Sequence, residues 1–373
     1  MKIVIIAQNC FPSLGPRQHR TTELAKELAW RGHEVIVYAL LGDYDYTAIA
    51  HRTRISFKPL GKSKFGLVDN TGYCNRSILF RAISKFFGKY FEFPAIELMP
   101  MVKKSLEKEG QIDLLITIAV PHTLHWGTSN YIKKNRSKIR LWVADCGDPF
   151  MKAPFNSRPF YFKYFENKWG KLCDYISVPL HEATAAYYPE FKNKIKVIPQ
   201  GFNFEDVEIA KYQKNSIPTF AYSGFLYKGK RDITQFLEYL TKMKTDFKFV
   251  VYTQSIIFFS PYRDALGNKL EIRDYIPRKE LLYQLSQMDF LINIANNSSV
   301  QTPSKLIDYA LTQRPIIEIT SDFKEYKEFQ EFLDGNYQRG KKIENLEQYN
   351  IVNVANNFLE LHPAFSYCKD SRR

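Results

Sequence analysis

Thr302, Pro303, Ser304 and Lys305 stand between an apolar strand pattern, Phe290-Leu291-Ile292, and an apolar helical pattern that ends near Gln313-Arg314-Pro315. Proline is favoured in the first turn of a helix, and a threonine before it can cap the amides that have no partner inside the helix. Those amides, the positive end of the helix dipole and the Lys305 ammonium would face one spot, where a phosphate would be held. Asp308 lies one turn beyond Ser304, on the same helix face. Its carboxylate can accept from a ribose diol while phosphates occupy the helix end. The stretch therefore predicts a nucleotide-diphosphate pocket. The competing reading is an ordinary helix start with Lys305 and Asp308 solvated.

The elements that must position these residues alternate. Ile3 to Ala7, Glu34 to Ala39, Leu114 to Ala119, Leu141 to Ala144 and Tyr175 to Val178 read as strands in the first half. Thr219 to Ser223, Phe247 to Tyr252, Phe290 to Asn293 and Pro315 to Ile319 repeat the plan in the second. Helical patterns such as Thr21 to Arg31, closed by Gly32, and His122 to Lys134 lie between them. Alternation of this kind predicts parallel sheets covered on both faces, an α/β chain of two doubly wound domains. The expected boundaries are 1–200, 201–355 and a C-terminal segment 356–373 that packs back on the first domain, with Lys194 to Asn203 leading into the connection.

Composition narrows the class without choosing a partner. The 373 residues carry 53 Lys and Arg against 39 Asp and Glu, a formal charge of +14, together with 29 Phe and 24 Tyr. That balance suits an anionic partner: nucleic acid, an acidic membrane surface or a phosphorylated substrate. No nucleic-acid motif accompanies it, so no nucleic-acid partner is expected. No stretch approaches a membrane-spanning length, and the apolar run after Met1 lacks the form of a signal peptide, which predicts a soluble protein. Cys10, Cys74, Cys146, Cys173 and Cys368 are odd in number and scattered without metal-ligand spacing, as expected of reduced cytosolic thiols. A GxGxxG fingerprint after the first strand is absent, which excludes the usual nicotinamide dehydrogenase.

The order of landmarks resembles the GT-B glycosyltransferases of family 4, retaining enzymes that use sugar nucleotides. The resemblance rests on Pro12-Ser13-Leu14-Gly15, Arg31-Gly32-His33-Glu34-Val35, Pro121-His122-Thr123-Leu124-His125 and Asp148-Pro149. It continues through Ile198-Pro199-Gln200-Gly201, Tyr222-Ser223-Gly224, Pro303-Ser304-Lys305-Leu306-Ile307-Asp308-Tyr309 and Arg314-Pro315-Ile316. It implies two Rossmann-like domains facing across a cleft and transfer of a sugar from a UDP- or GDP-sugar donor. The family often has two glutamates separated by seven residues in its last motif. Here the second position is Asp308 and the first is Val300. Asn296 to Ser299 or their amides would have to grip the donor sugar instead.

The resemblance assigns roles residue by residue. A leaving nucleoside diphosphate gathers negative charge, which fixed cations and amides can hold. Lys305 and Arg231 are the expected cations, with Gly15, Gly224, Asn296, Thr302, Ser304 and Asp308 as further donor contacts. Arg231 also reads as part of a basic surface loop. His122 and Asp148, each just after a strand end, are the catalytic candidates, and His125 is an alternative. A lone helix histidine is more often structural, and Asp148 before Pro149 is equally a turn former. Arg17 and Arg20 are the expected acceptor contacts. No metal or other cofactor is expected, and no dedicated base is required in a retaining reaction of this kind.

Ser77 to Pro94 and Pro159 to Lys171 interleave aromatic residues with Arg81, Lys85, Lys89, Lys163 and Lys168. Amphipathic helices of this type can lie on an anionic bilayer. They suggest a peripheral enzyme at the inner face of the plasma membrane, acting on a lipid-linked saccharide in bacterial capsule, O-antigen or exopolysaccharide assembly. Packing of the same aromatics into the core is the alternative. A non-hydrolysing sugar-nucleotide epimerase and a non-catalytic sugar-nucleotide-binding protein share the two-domain plan and remain competing functions.

Overall fold

A computed structural model describes residues 1–72, 78–152, 158–226, 232–295, 304–324 and 326–364. The chain divides into two compact units, one of Met1–Phe202 with the chain from Gln348 onward, the other of Asn203–Glu347. The return to the first unit begins ahead of the expected 356. The helix Ile351–Leu359 explains it: Ile351, Val354, Ala355 and Phe358 share an apolar face and are buried in the first unit's core.

The first unit has seven parallel strands: β1 (Lys2–Ala7), β2 (Glu34–Ala39), β3 (Ile55–Pro59), β4 (Ile112–Ala119), β5 (Ile139–Cys146), β6 (Tyr175–Val178) and β7 (Ile195–Val197). Their order is β3-β2-β1-β4-β5-β6-β7. Central strands such as β1 read as continuous apolar runs because both faces are covered. Ile3 and Ile5 of β1 lie level with Leu114 and Ile116 of β4, and all four enter the core beneath the helix Pro16–Trp30.

The second unit has five parallel strands: β8 (Thr219–Ser223), β9 (Lys248–Tyr252), β10 (Leu270–Arg273), β11 (Phe290–Ile294) and β12 (Ile316–Ile319). Their order is β10-β9-β8-β11-β12. Its core is rich in phenylalanine; the Phe220 and Phe290 rings stack at 4.9 Å across β8 and β11, and Phe329 meets both edge-on. β3 and β10 were not expected as strands. Both are sheet edges, and Ile55-Ser56-Phe57-Lys58-Pro59 and Leu270-Glu271-Ile272-Arg273 mix polar residues into half-buried runs.

In each sheet the strand order reverses once, between β1 and β4 and between β8 and β11. Open α/β sheets bind ligands at such switch points, outside the carboxyl ends of the strands.

Candidate functional site

At the switch point of the second unit, the chain leaving β8 turns through Gly224 at φ +140°, a conformation that favours glycine. Its N–H donates to the Tyr252 carbonyl at 3.0 Å and its carbonyl accepts from Thr253 Oγ1 at 2.8 Å, which anchors the turn to the end of β9. The helix Ser304–Leu311 follows β11, and Lys305 from its first turn reaches across to β8. The ammonium donates to the Tyr222 hydroxyl at 3.0 Å and lies 4.2 Å from the centre of that ring. A side chain at Gly224 would crowd it, since a Cβ there would come within 3.2 Å of Lys305 Nζ. One turn on, the Tyr309 hydroxyl accepts from the Ser223 amide at 2.8 Å and so locks helix to strand. The result is a cation fixed beside exposed backbone at the carboxyl end of the sheet.

Asp308 is held by a partner that local spacing could not reveal. Arg278, at the start of the helix Arg278–Leu285, donates to Asp308 Oδ1 through Nε at 2.9 Å, and the two form an ion pair with Nη2 2.7 Å from the same oxygen. Its Nη1 also donates to the Asn203 carbonyl at 3.2 Å. The pair fixes the carboxylate on the helix face.

In the first unit, Gly15 (φ +152°) precedes Pro16 at the start of the helix Pro16–Trp30, as the expected loop-to-helix turn requires. Arg17 and Arg20 follow, and the structure separates their roles. Arg20 is buried and donates to both oxygens of Asp145, at 3.2 Å and 2.9 Å, with Ser177 Oγ donating to the same carboxylate at 2.6 Å. The rest of the guanidinium serves the Ile198 and Pro199 carbonyls and lies 5.0 Å from the Phe358 ring centre. The expected acceptor contact at Arg20 is therefore replaced by a structural one: it joins the first helix, β5, β6, the segment after β7 and the C-terminal helix. Arg17 stays half-exposed and lies flat on Gly147, where any Cβ would overlap its guanidinium. Burial pulls its pKa down, opposed by Asp145 and Asp148.

His122 does not offer its ring to solvent. It is buried, and Nε2 lies 3.0 Å from the Asp148 carbonyl. Burial lowers its pKa to about 4, so the ring is neutral near pH 7. His125 is buried too, with Nδ1 2.7 Å from Thr117 Oγ1. Asp148 is half-buried beside Arg17.

No family model matches the sequence, and no curated protein matches it. Solved structures match it along its whole length. A glycosyltransferase from Rickettsia africae superposes with a TM-score of 0.60 at 12% identity, covering 100% of this chain and 97% of its own. HepE of Anabaena, in complex with UDP, gives 0.59 at 10% identity with 100% of both chains covered. The lipopolysaccharide outer core galactosyltransferase WaaB gives 0.59 at 13% identity, covering 98% of this chain and 100% of its own. The fold is GT-B.

Within that GT-B chain, Gly224, Lys305 and the Asp308 backbone helix come together at one switch point, and Gly15, Arg17 and Asp148 belong to the loops after β1 and β5. Arg231, Asn296, Val300 and Thr302 lie outside the described residues, as does the side chain of Ser304. Sequence reasoning missed Arg278 and the Tyr222 and Tyr309 hydroxyls, whose partners are distant in the chain. The described thiols Cys10, Cys146 and Cys173 are free and buried; Cys74 and Cys368 lie outside the described residues.

The basic aromatic stretches split between the two expectations. Phe162 and Trp169 are core residues, while Phe86, Phe91, Phe160 and Tyr164 are 61%, 52%, 86% and 68% exposed. The helices Ile78–Phe91 and Phe162–Leu172 are tied together by an Arg158–Glu92 ion pair and a hydrogen bond from the Tyr161 hydroxyl to the Tyr90 carbonyl. Among the described residues no helix is long and apolar enough to cross a membrane.

Proposed function

We propose that this protein is a glycosyltransferase of the family-4 type that moves a sugar from a UDP- or GDP-sugar to a saccharide acceptor, with retention and without a metal in the transfer step. The observation that carries the reading is the Lys305 ammonium, held by Tyr222 over Gly224 at the β8–β11 switch point. A fixed cation beside a helix start is what a departing diphosphate needs, because it stabilises charge that develops only as the bond breaks. Asp308, steadied by Arg278, takes the ribose, while Gly15 and Arg17 shape the first unit's loop for the acceptor. The Asp148 carbonyl orients the buried His122 imidazole, which serves the site by holding the loop that carries Asp148. That HepE was solved with UDP, and TarM of S. aureus with UDP and α-GlcNAc-glycerol, supports a uridine nucleotide as the first donor to try.

The exposed aromatics beside Lys89 and Lys163 suit an anionic bilayer, and with it a lipid-linked acceptor of the kind used in surface-polysaccharide assembly at the inner face of a bacterial membrane. The deciding experiment is a thermal-shift panel of UDP, GDP, CMP and ADP and of UDP- and GDP-sugars on wild type, Lys305→Ala and Asp308→Ala. A ligand bound to the folded state raises the melting temperature, by more the tighter it binds at a given concentration. Loss of one charge-assisted bond, about 1.5–3 kcal/mol, should weaken nucleoside diphosphate binding on the order of 10- to 100-fold in Lys305→Ala. If no nucleotide shifts the wild type, the donor pocket is wrong. Turnover of a bound sugar nucleotide without acceptor would instead favour an epimerase.

A further inference from the structure

We propose that His122, His125 and Cys146 form a buried site for a thiophilic divalent cation of the zinc(II) class, clipping the helix Thr123–Asn135 to the end of β5. The inference does not rest on glycosyl transfer; it concerns a structural ion behind the candidate acceptor loops. Parallel pairing brings the residues together: Cys146 of β5 lies level with Ala119 of β4, and the chain leaving β4 reaches His122 and His125 within two turns. The His122 and His125 ring nitrogens and the Cys146 sulfur lie within 4.8 Å of one another, and all three residues are buried.

The hydrogen bonds leave one ring nitrogen of each histidine with a lone pair. The Asp148 carbonyl can only accept, so His122 Nε2 carries the proton and Nδ1 carries a lone pair. That Nδ1 is buried and has no hydrogen-bond partner among the described residues. Leaving such an atom unpaired is unfavourable, and a bound cation removes that cost. Thr117 Oγ1 already accepts from Trp142 Nε1 at 2.9 Å and retains a second lone pair for His125 Nδ1–H at 2.7 Å. In that tautomer His125 Nε2 faces the Cys146 sulfur, 3.4 Å away, with a lone pair. Metal-bound histidines are usually fixed in this way through the other ring nitrogen.

The spacing fits. A tetrahedral zinc with nitrogen at about 2.0 Å and sulfur at about 2.3 Å holds the two ligand atoms about 3.5 Å apart. The 3.4 Å between His125 Nε2 and Cys146 Sγ already matches that separation, and a His122 ring nitrogen stands within 4.8 Å of both. On binding, the Cys146 thiol gives its proton to solvent and the sulfur takes the metal bond. Burial keeps that thiol protonated in the metal-free protein, and the cation reverses the balance. Tyr187, whose hydroxyl lies against the same sulfur, or a water completes the shell.

The full chain, freed of metal with a chelator, should take up one equivalent of cobalt(II) with a thiolate-to-cobalt charge-transfer band. Cys146→Ser should abolish the band and Cys173→Ser, at another buried thiol, should keep it. Zinc-edge X-ray absorption of wild type loaded with one equivalent should read one sulfur and two imidazoles, a result that needs no variant to fold. A shell of oxygen and nitrogen alone, or a band that survives Cys146→Ser, would overturn the site and reduce the cluster to a thiol–imidazole hydrogen bond.

Discussion

Replacing Glu109 by Gln should remove an acid-sensitive share of the first unit's stability. The Glu109 carboxylate is buried and gathers three strands. Lys2 of β1 reaches Oε2 at 2.6 Å, while the Tyr38 hydroxyl of β2 and Lys58 of β3 each reach Oε1 at 2.7 Å. Burial alone would raise its pKa, but the bonds from Lys2, Lys58 and Tyr38 outweigh it and bring the value from the ordinary 4.5 to about 2. A carboxylate depressed in the folded state contributes stability that is present above pH 4.5 and lost as the pH falls toward 2. A shift of that size corresponds to about 3 kcal/mol at most. Lys58 is 40% exposed, so solvent screening brings the expected effect nearer 2 kcal/mol. Gln keeps an acceptor but not the charge, so the wild-type advantage should be full at pH 6 and about half gone by pH 3. Urea unfolding followed by tryptophan fluorescence reads this unit alone, because all 4 tryptophans, Trp30, Trp126, Trp142 and Trp169, belong to it. A difference between wild type and Glu109→Gln that stays constant from pH 6 to pH 3 would refute the charge argument and leave only packing.

Two more outcomes follow from other contacts. Asp145→Asn leaves the Arg20 guanidinium buried without its counter-charge and should cost about 3–5 kcal/mol in the same fluorescence assay, whereas Arg20→Met combined with Asp145→Leu should recover part of that loss. Flotation with vesicles rich in anionic lipid should retain the wild type at moderate salt and release a Phe86→Ser, Phe91→Ser, Phe160→Ser variant; equal flotation of both would dismiss these aromatics as the membrane face.

What could be read in the sequence was local, and what could not was decided by strand order. The strand before Lys305 and the helix that carries it lie within one short segment, so apolar periodicity sufficed to mark them. Central strands were legible because burial on both faces leaves long apolar runs; β10 was not, because at an edge Glu271 and Arg273 serve solvent and each other instead of the core. Asp308 and Arg278 are 30 positions apart, and Arg20 and Asp145 are 125 apart. Each member looks like a surface charge until the sheet is closed. The same holds for Cys146, which stands beside no histidine in sequence and meets two only because β4 and β5 are neighbours in register. In a parallel α/β sheet every strand end delivers a loop to the same edge, so a sequence can name the residues that arrive there. It cannot say which loops are adjacent. That depends on the order of the strands, and here the adjacency of β8 to β11 is what turns Lys305 from a helix-start lysine into a cation held over the end of another strand.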